Sequence, residues 1–465
     1  MHKSYPAFLV YIEKNRFLKY KGDEMDLITG NIKDIYLKYF IASFGGAILQ
    51  SVYGLVDMIA VGQYHGPTGS AAMAIIAPIW NVVYSCGLLT GIGASILFNV
   101  EKNSKKKDHT KANGYFTVGV LLTAVISLML WLTLVVFETE ILIALGADEA
   151  LLPLAKQYLI PVKFSLPVFL FMQFTAAFLR NDDNPGLATV AVVVGGIFNI
   201  IGDILFVFGF DMGIFGAGLA TCMGATISIC MMLTHFRSQK NTLQLVKPRG
   251  ILKKCKNIVG LGFSTFFVDL ALGILSMLFN IQIMKYLGSD ALAIFGVIVN
   301  VATFVQCCAY GVGQASQPIL SANYGAKKFQ RIQQLFRYNV ITVIFISAIW
   351  VFLTMVFPQA FVYGFMKPSE EVLRIAPAII RTYCISFALL PFNIYATYYF
   401  QSMMKANIAF IISVGRGLFI SGICILTLPI IFAPHSIWFA MPVTECMTFL
   451  VIVVMLKRVK KSSLA

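Results

Sequence analysis

Two acidic residues stand where acids are rare. Asp57 interrupts the apolar run LQSVYGLVDMIAVG (49–62), and Asp203 closes FNIIGD (198–203). An ionised carboxylate in an apolar medium needs a partner, a cation or a proton, so both residues are functional candidates. Asn199 precedes Asp203 by four residues, which places the two on one helical face. Thr221 lies about two turns into the next apolar stretch and reaches a similar depth. Two carboxylates, an amide oxygen and a hydroxyl suit a hard monovalent cation such as Na+, and equally a proton shared between neighbouring acids.

The second half of the chain carries a different set. Asp269, in STFFVDLALG, lies about three turns into its apolar stretch, near mid-membrane. Glu445 is an acid in the last stretch, and Arg416 is a cationic partner for either of them. Arg416 reads as the one deep arginine, with Arg381 and Arg374 nearer the outer part of their stretch. Gln306, Gln314, Gln317 and Asn280 add uncharged polar atoms, while Tyr398 and Met403 belong to an aromatic and thioether group suited to an adaptable pocket. With Tyr53 and Gln173 these are candidates for a substrate cavity. A carboxylate within a cavity rich in Phe and Met favours apolar cations, through charge pairing and cation–π contact.

The elements that must position these residues are membrane helices. Only 12% of the chain is charged while 58% is hydrophobic, and the mean hydropathy of +0.80 excludes an ordinary soluble domain. Twelve apolar stretches are each long enough to cross a hydrocarbon core of about 30 Å: 35–61, 70–100, 113–137, 153–179, 186–208, 214–236, 258–287, 291–322, 338–357, 372–404, 408–431 and 437–456. The net charge of +15 is distributed by topology, since lysines and arginines gather at both ends and after even-numbered spans, whereas 63–69 and 138–152 contain none. The positive-inside rule then makes the even loops and both termini cytoplasmic, and no nucleic acid partner is expected. The nine cysteines and five histidines have no metal-ligand spacing, and no nucleophile relay or phosphate loop points to an enzyme. Residues 1–34 read as a cytoplasmic leader that is too short in apolar residues to span, with a second plausible start at Met25.

An interval of about 220 residues relates the two halves. TGIGAS (90–95) in the second span is matched by YGVGQAS (310–316) in the eighth, and Leu166-Pro167 by Leu390-Pro391. By the same interval Glu445 takes the place of Thr221. Six spans per half is an even number, so the halves insert in one orientation, related by an axis along the membrane normal. The expected organisation is a first lobe at 35–236, a basic linker at 237–257, a second lobe at 258–456 and a tail at 457–465.

LQSVYGLVDMIAVG with the following AAMAIIAPI, then FLRNDDNP, FNIIGD, GAGLAT and GVGQASQPILSANYGAKK together resemble the multidrug and toxic compound extrusion (MATE) family, in its bacterial drug-efflux branch. The resemblance implies an all-α polytopic fold of twelve transmembrane helices, in two pseudo-twofold-related six-helix bundles forming a V-shaped cleft. It also implies export driven by inward Na+ or H+ flow. The family's cation site maps onto Asp57, Asn199, Asp203 and Thr221, and its second-lobe acid onto Asp269. The family's fourth-span asparagine has no clear equivalent in this sequence, Gln173 lying nearby and Ala176 being the other alignment. The expected function is therefore a secondary antiporter of the bacterial inner membrane, exporting cationic amphipathic compounds, without a cofactor, surrounded by lipid and monomeric. The rival is a flippase for a lipid-linked sugar, which requires several arginines around a pyrophosphate.

Overall fold

A computed structural model describes residues 27–104, 109–149, 151–365 and 368–462. Most of the expected leader, and the side chains of Tyr53 and Asp269, lie outside the described residues. The described chain is a succession of helices. They are α1 (Ile32–Lys102), α2 (His109–Val136), α3 (Glu138–Ala144), α4 (Leu151–Asn181), α5 (Pro185–Asp203), α6 (Gly213–Leu233), α7 (Ile251–Tyr286), α8 (Gly288–Gly325), α9 (Phe329–Val356), α10 (Pro358–Phe365), α11 (Glu370–Cys384), α12 (Leu390–Ser402), α13 (Ala406–Val414), α14 (Ser421–Ile431) and α15 (Ala440–Ser462). Eleven helical segments among the described residues are long and apolar enough to cross a membrane. Large apolar side chains around their circumference remain exposed, Ile344, Phe345 and Met129 among them, as expected of helices solvated by hydrocarbon rather than water.

The first two spans are joined more tightly than their sequence suggests. Residues 63–69 read as a loop, yet the helix continues through them and breaks only at Gly66, at φ 67 and ψ −152, a conformation open to glycine. The chain folds back there, since a Cβ at Gly69 would meet the Val61 carbonyl at 2.7 Å. Asn31 caps α1, its side chain accepting from Lys33 N at 3.0 Å.

The repeated glycine motifs explain how the halves meet. Gly93 of the second span packs so closely on α7 that a Cβ would lie 2.2 Å from the Ile258 carbonyl, and Gly311 of the eighth span meets the Phe44 backbone of the first in the same manner. Span two on span seven, and span eight on span one, is the exchange that a pseudo-twofold axis produces. These crossings are supported by polar contacts near the face of the protein that carries the basic loops. Asn99 Nδ2 donates to Asn181 Oδ1 at 2.9 Å, to the Pro318 carbonyl at 2.8 Å and to Ser321 at 2.9 Å. Asn323 Nδ2 donates to the Leu27 carbonyl at 2.9 Å, and Arg331 to that of Gly30 at 2.7 Å. The cleft between the halves is therefore sealed at the basic face.

The linker is anchored to the first half. Gln244 N donates to Asn113 Oδ1 at 2.9 Å and Val246 N to Thr117 at 3.0 Å. Asp182, in the turn between α4 and α5, accepts from Lys102 Nζ and His235 Nε2 at 2.8 Å each and from Thr242 N at 2.9 Å, as well as from the Thr242 hydroxyl. Burial opposes its ionisation, but the His235 and Lys102 contacts win and hold its pKa at about 2, below the ordinary 3.8. A depressed carboxylate stabilises the fold fully above its unfolded value and loses that contribution as pH falls towards the folded one. The difference corresponds to about 2 kcal/mol. Asp182→Asn is therefore expected to lower the thermal unfolding midpoint near neutral pH and to flatten its dependence on pH between 3.8 and about 2. Scanning fluorimetry of the purified protein checks both.

Candidate functional site

The site begins with close helix packing. Gly195 on α5 faces the Gly224 carbonyl of α6 at 2.4 Å from its ideal Cβ, and Gly202 faces Ala220 at 2.9 Å. With no side chains between them, the two helices bring Asn199 and Thr221 into contact. Asn199 Nδ2 donates to Thr221 Oγ1 at 3.2 Å and to Asp57 Oδ1 at 2.9 Å, and Thr221 Oγ1 approaches Asp57 Oδ2 at 2.7 Å. The threonine has one proton, shared in time between Asp57 and its own helix carbonyl at Ala217, 3.0 Å away. Asp57 is 4% exposed and Asp203 fully buried.

Asp203 is the unusual member. Its carboxyl lies beside that of Asp57, yet neither of its oxygens makes a hydrogen bond of normal geometry, and the Asn199 Oδ1 is likewise unpartnered. Directly after it the helix widens into a π turn over Ile204–Gly209, a local geometry associated with functional positions. Two adjacent buried carboxyl groups with no basic partner among the described residues require a shared proton or a bound cation. The free oxygens of Asp203 and Asn199, with those of Asp57 and Thr221, form an all-oxygen donor set that fits Na+ as well as H+. No group of three or more His, Cys, Asp or Glu suited to a metal occurs among the described residues.

Tyr158 is a member that the sequence reading missed. It is 1% exposed and packs against Asp57 and Thr221. Depth counting could have found it, since Tyr158 lies seven residues into α4, about 10 Å from the helix start and level with Thr221.

The second half resolves differently. Arg416 Nε donates to Glu445 Oε1 at 2.8 Å, and Asn393 Nδ2 to Glu445 Oε2 at 2.6 Å and to its carbonyl at 2.9 Å. Arg416 thus partners Glu445, and the group is a neutralised buried pair. Of the cavity candidates, Gln173 and Gln314 do line one cavity between the halves. Gln317 instead donates to Asn181 Oδ1 at 3.2 Å within the sealed basic face. Gln306 is buried, and Asn280 is exposed on α7. Tyr398 is buried with its ring against Gly313. Met403 packs in a core with Leu27, Ile35 and Leu335, so it fills space as methionine commonly does. The sequence reading passed over a further arginine at the cleft, Arg180 in the last turn of α4, which lines the same cavity as Gln173 and Gln314. Its position one residue past the apolar stretch hid it.

Two bundles of membrane helices around a cleft closed on one face, with buried acids in one bundle, define a polytopic membrane transporter. The chain belongs to the MatE family, whose model matches residues 42–205 and 265–426. It is 28% identical to the probable multidrug resistance protein YoeA of Bacillus subtilis (strain 168) over 354 residues, 74% of this chain and 75% of that protein. It is 20% identical to the multidrug export protein MepA of Staphylococcus aureus (strain MSSA476) over 397 residues, 84% and 85% of the two chains. The fold matches the outward-facing structure of a multidrug resistance MATE family transporter of the MOP superfamily, with a TM-score of 0.86 and 18% identity over 95% of this chain and 100% of that one. It also matches a mutant of the Vibrio cholerae MATE transporter VcmN, with a TM-score of 0.84 and 18% identity over 93% and 97% of the chains.

Proposed function

We propose that this protein is a secondary antiporter that exports cationic amphipathic compounds in exchange for Na+ or H+. The observation that carries this reading is the buried Asp57–Asp203 pair, with acceptor oxygens left free and no basic partner among the described residues. A groove lined by Asn199, Thr221, Phe169 and Met172 lies alongside the pair, so binding a cation can alter the wall that a substrate meets. The names of the bacterial relatives, multidrug resistance and multidrug export proteins, support the substrate class.

The two bodies that rock are 35–236 and 258–456, and the protein acts as a monomer in the bacterial inner membrane. With the basic loops and both termini in the cytoplasm, the arrangement described above is an outward-open state. Exchange follows if the coupling cation and the substrate favour opposite states by a few kcal/mol. The test is to reconstitute the protein and follow a fluorescent organic cation under separately imposed Na+ and H+ gradients. One gradient is expected to drive transport severalfold above the ungated leak; transport equal to protein-free vesicles under both gradients rejects the reading.

A further inference from the structure

The cavity between the halves is bounded by the first, fourth, fifth and eighth spans, with Gln173, Arg180, Thr189 and Gln314 as its hydrogen-bonding side chains. Arg180 is a half-buried cation in the wall of this cavity. Lys102 pairs with Asp182, Lys163 with Glu138 and Arg416 with Glu445, whereas Arg180 pairs with no acid among the described residues. Its Nε is sealed from solvent and without a hydrogen-bond partner. The phenols of Tyr84 and Tyr398 lie within electrostatic reach of it and, being neutral, do not balance its charge. The acids that follow it in sequence are turned elsewhere, Asp182 and Asp183 both approaching Lys102 at 2.8 and 3.5 Å.

A guanidinium cannot shed its proton, so Arg180 keeps its charge in the cavity wall. Its planar fork matches a carboxylate or a phosphate. The cavity adjoins the groove beside the acid pair, since Met172 and Val192 line both it and the groove at Asn199 and Thr221. The acids thus lie behind the one space, and the arginine lines the other.

We infer that Arg180 is an anion-binding group of the transport cavity, taking the carboxylate or phosphate oxygens of an amphiphile whose cationic part lies towards Asn199 and Thr221. This rests on the transporter reading above. The anionic group comes either from a transported zwitterion or from the headgroup of a lipid entering the cleft.

The experiment measures equilibrium binding of rhodamine B, which carries a free carboxylate, and of its methyl ester, which does not, by fluorescence polarisation on purified protein. Arg180→Gln is expected to weaken rhodamine B binding about tenfold, as loss of a charge-assisted contact does, and to leave the ester unchanged. Arg180→Lys should fall between. In the parent protein, benzoate should displace rhodamine B and not the ester, which keeps the proposal testable if the glutamine variant fails to fold. Repeating the titration in nanodiscs with rising phosphatidylglycerol separates the sources. Competition with rhodamine B in the parent alone assigns the site to headgroups, and its absence assigns it to the zwitterionic dye. Equal loss of both dyes in Arg180→Gln, or no competition by benzoate, overturns the proposal. Failure of the parent to bind either dye removes the cationic-amphiphile reading beneath it.

Discussion

Asp203→Asn is expected to lower gradient-driven efflux about tenfold or more while the protein inserts and folds normally. The substitution is nearly isosteric, and Asp203 makes no hydrogen bond of normal geometry that the amide would break. What it removes is half of the negative charge that a coupling cation or proton meets, together with the repulsion between two adjacent carboxyls. Each tenfold loss corresponds to about 1.4 kcal/mol of differential binding, well within what an adjacent buried charge supplies. Asp57→Asn should be equally severe, since its Oδ1 can still accept from Asn199, now at 2.9 Å, and its amide can donate to Thr221, so that what is lost is again the charge. The measurement is dye efflux from proteoliposomes under imposed Na+ or H+ gradients, alongside dye binding to the purified variants. Undiminished coupled efflux by Asp203→Asn would sink the assignment of the coupling site.

Breaking the second-half pair should act on stability rather than on coupling. Arg416→Met leaves Glu445, fully buried, with only Asn393 as a partner, and removing one member of a buried ion pair typically costs about 3–5 kcal/mol. The double variant Arg416→Met with Glu445→Leu removes both charges and should recover most of that loss, because the desolvation of two ions disappears with them. Denaturant or thermal unfolding in detergent, read by intrinsic fluorescence, gives the coupling energy. A single variant as stable as the parent would indicate that water or lipid solvates this site, contrary to the 6% exposure of Arg416.

Much of the architecture could be read before any coordinates. Hydropathy marked the helices because in hydrocarbon the backbone must be satisfied within each segment. The convergence of Asp57, Asn199 and Thr221 followed from depth counting, since a helix converts residue number into height. What escaped the sequence was set by contacts between helices. Nothing in residues 63–69 says that one glycine reverses the chain while its neighbours stay helical. Tyr158 reads as one more apolar-span tyrosine until α4 is packed on α6. Arg180 looks like a terminal basic residue, and only the meeting of the fourth and eighth spans turns it into the wall of a cavity. Gln317 and Met403 erred the other way, polar or adaptable side chains that the packing of the basic face and of the core had already engaged.

The linker between the halves works as a splint. Its hydrogen bonds to Asn113, Thr117 and Asp182 bind it along the first half as far as Val246. The helix of the second half starts at Ile251, immediately after Gly250 at a left-handed φ of 65°. Only the few residues between Val246 and Ile251 separate that anchored stretch from the helix of the second half. The segment joining the halves is thus laid along the first of them for most of its length, and Gly250 supplies the turn by which the chain enters the second.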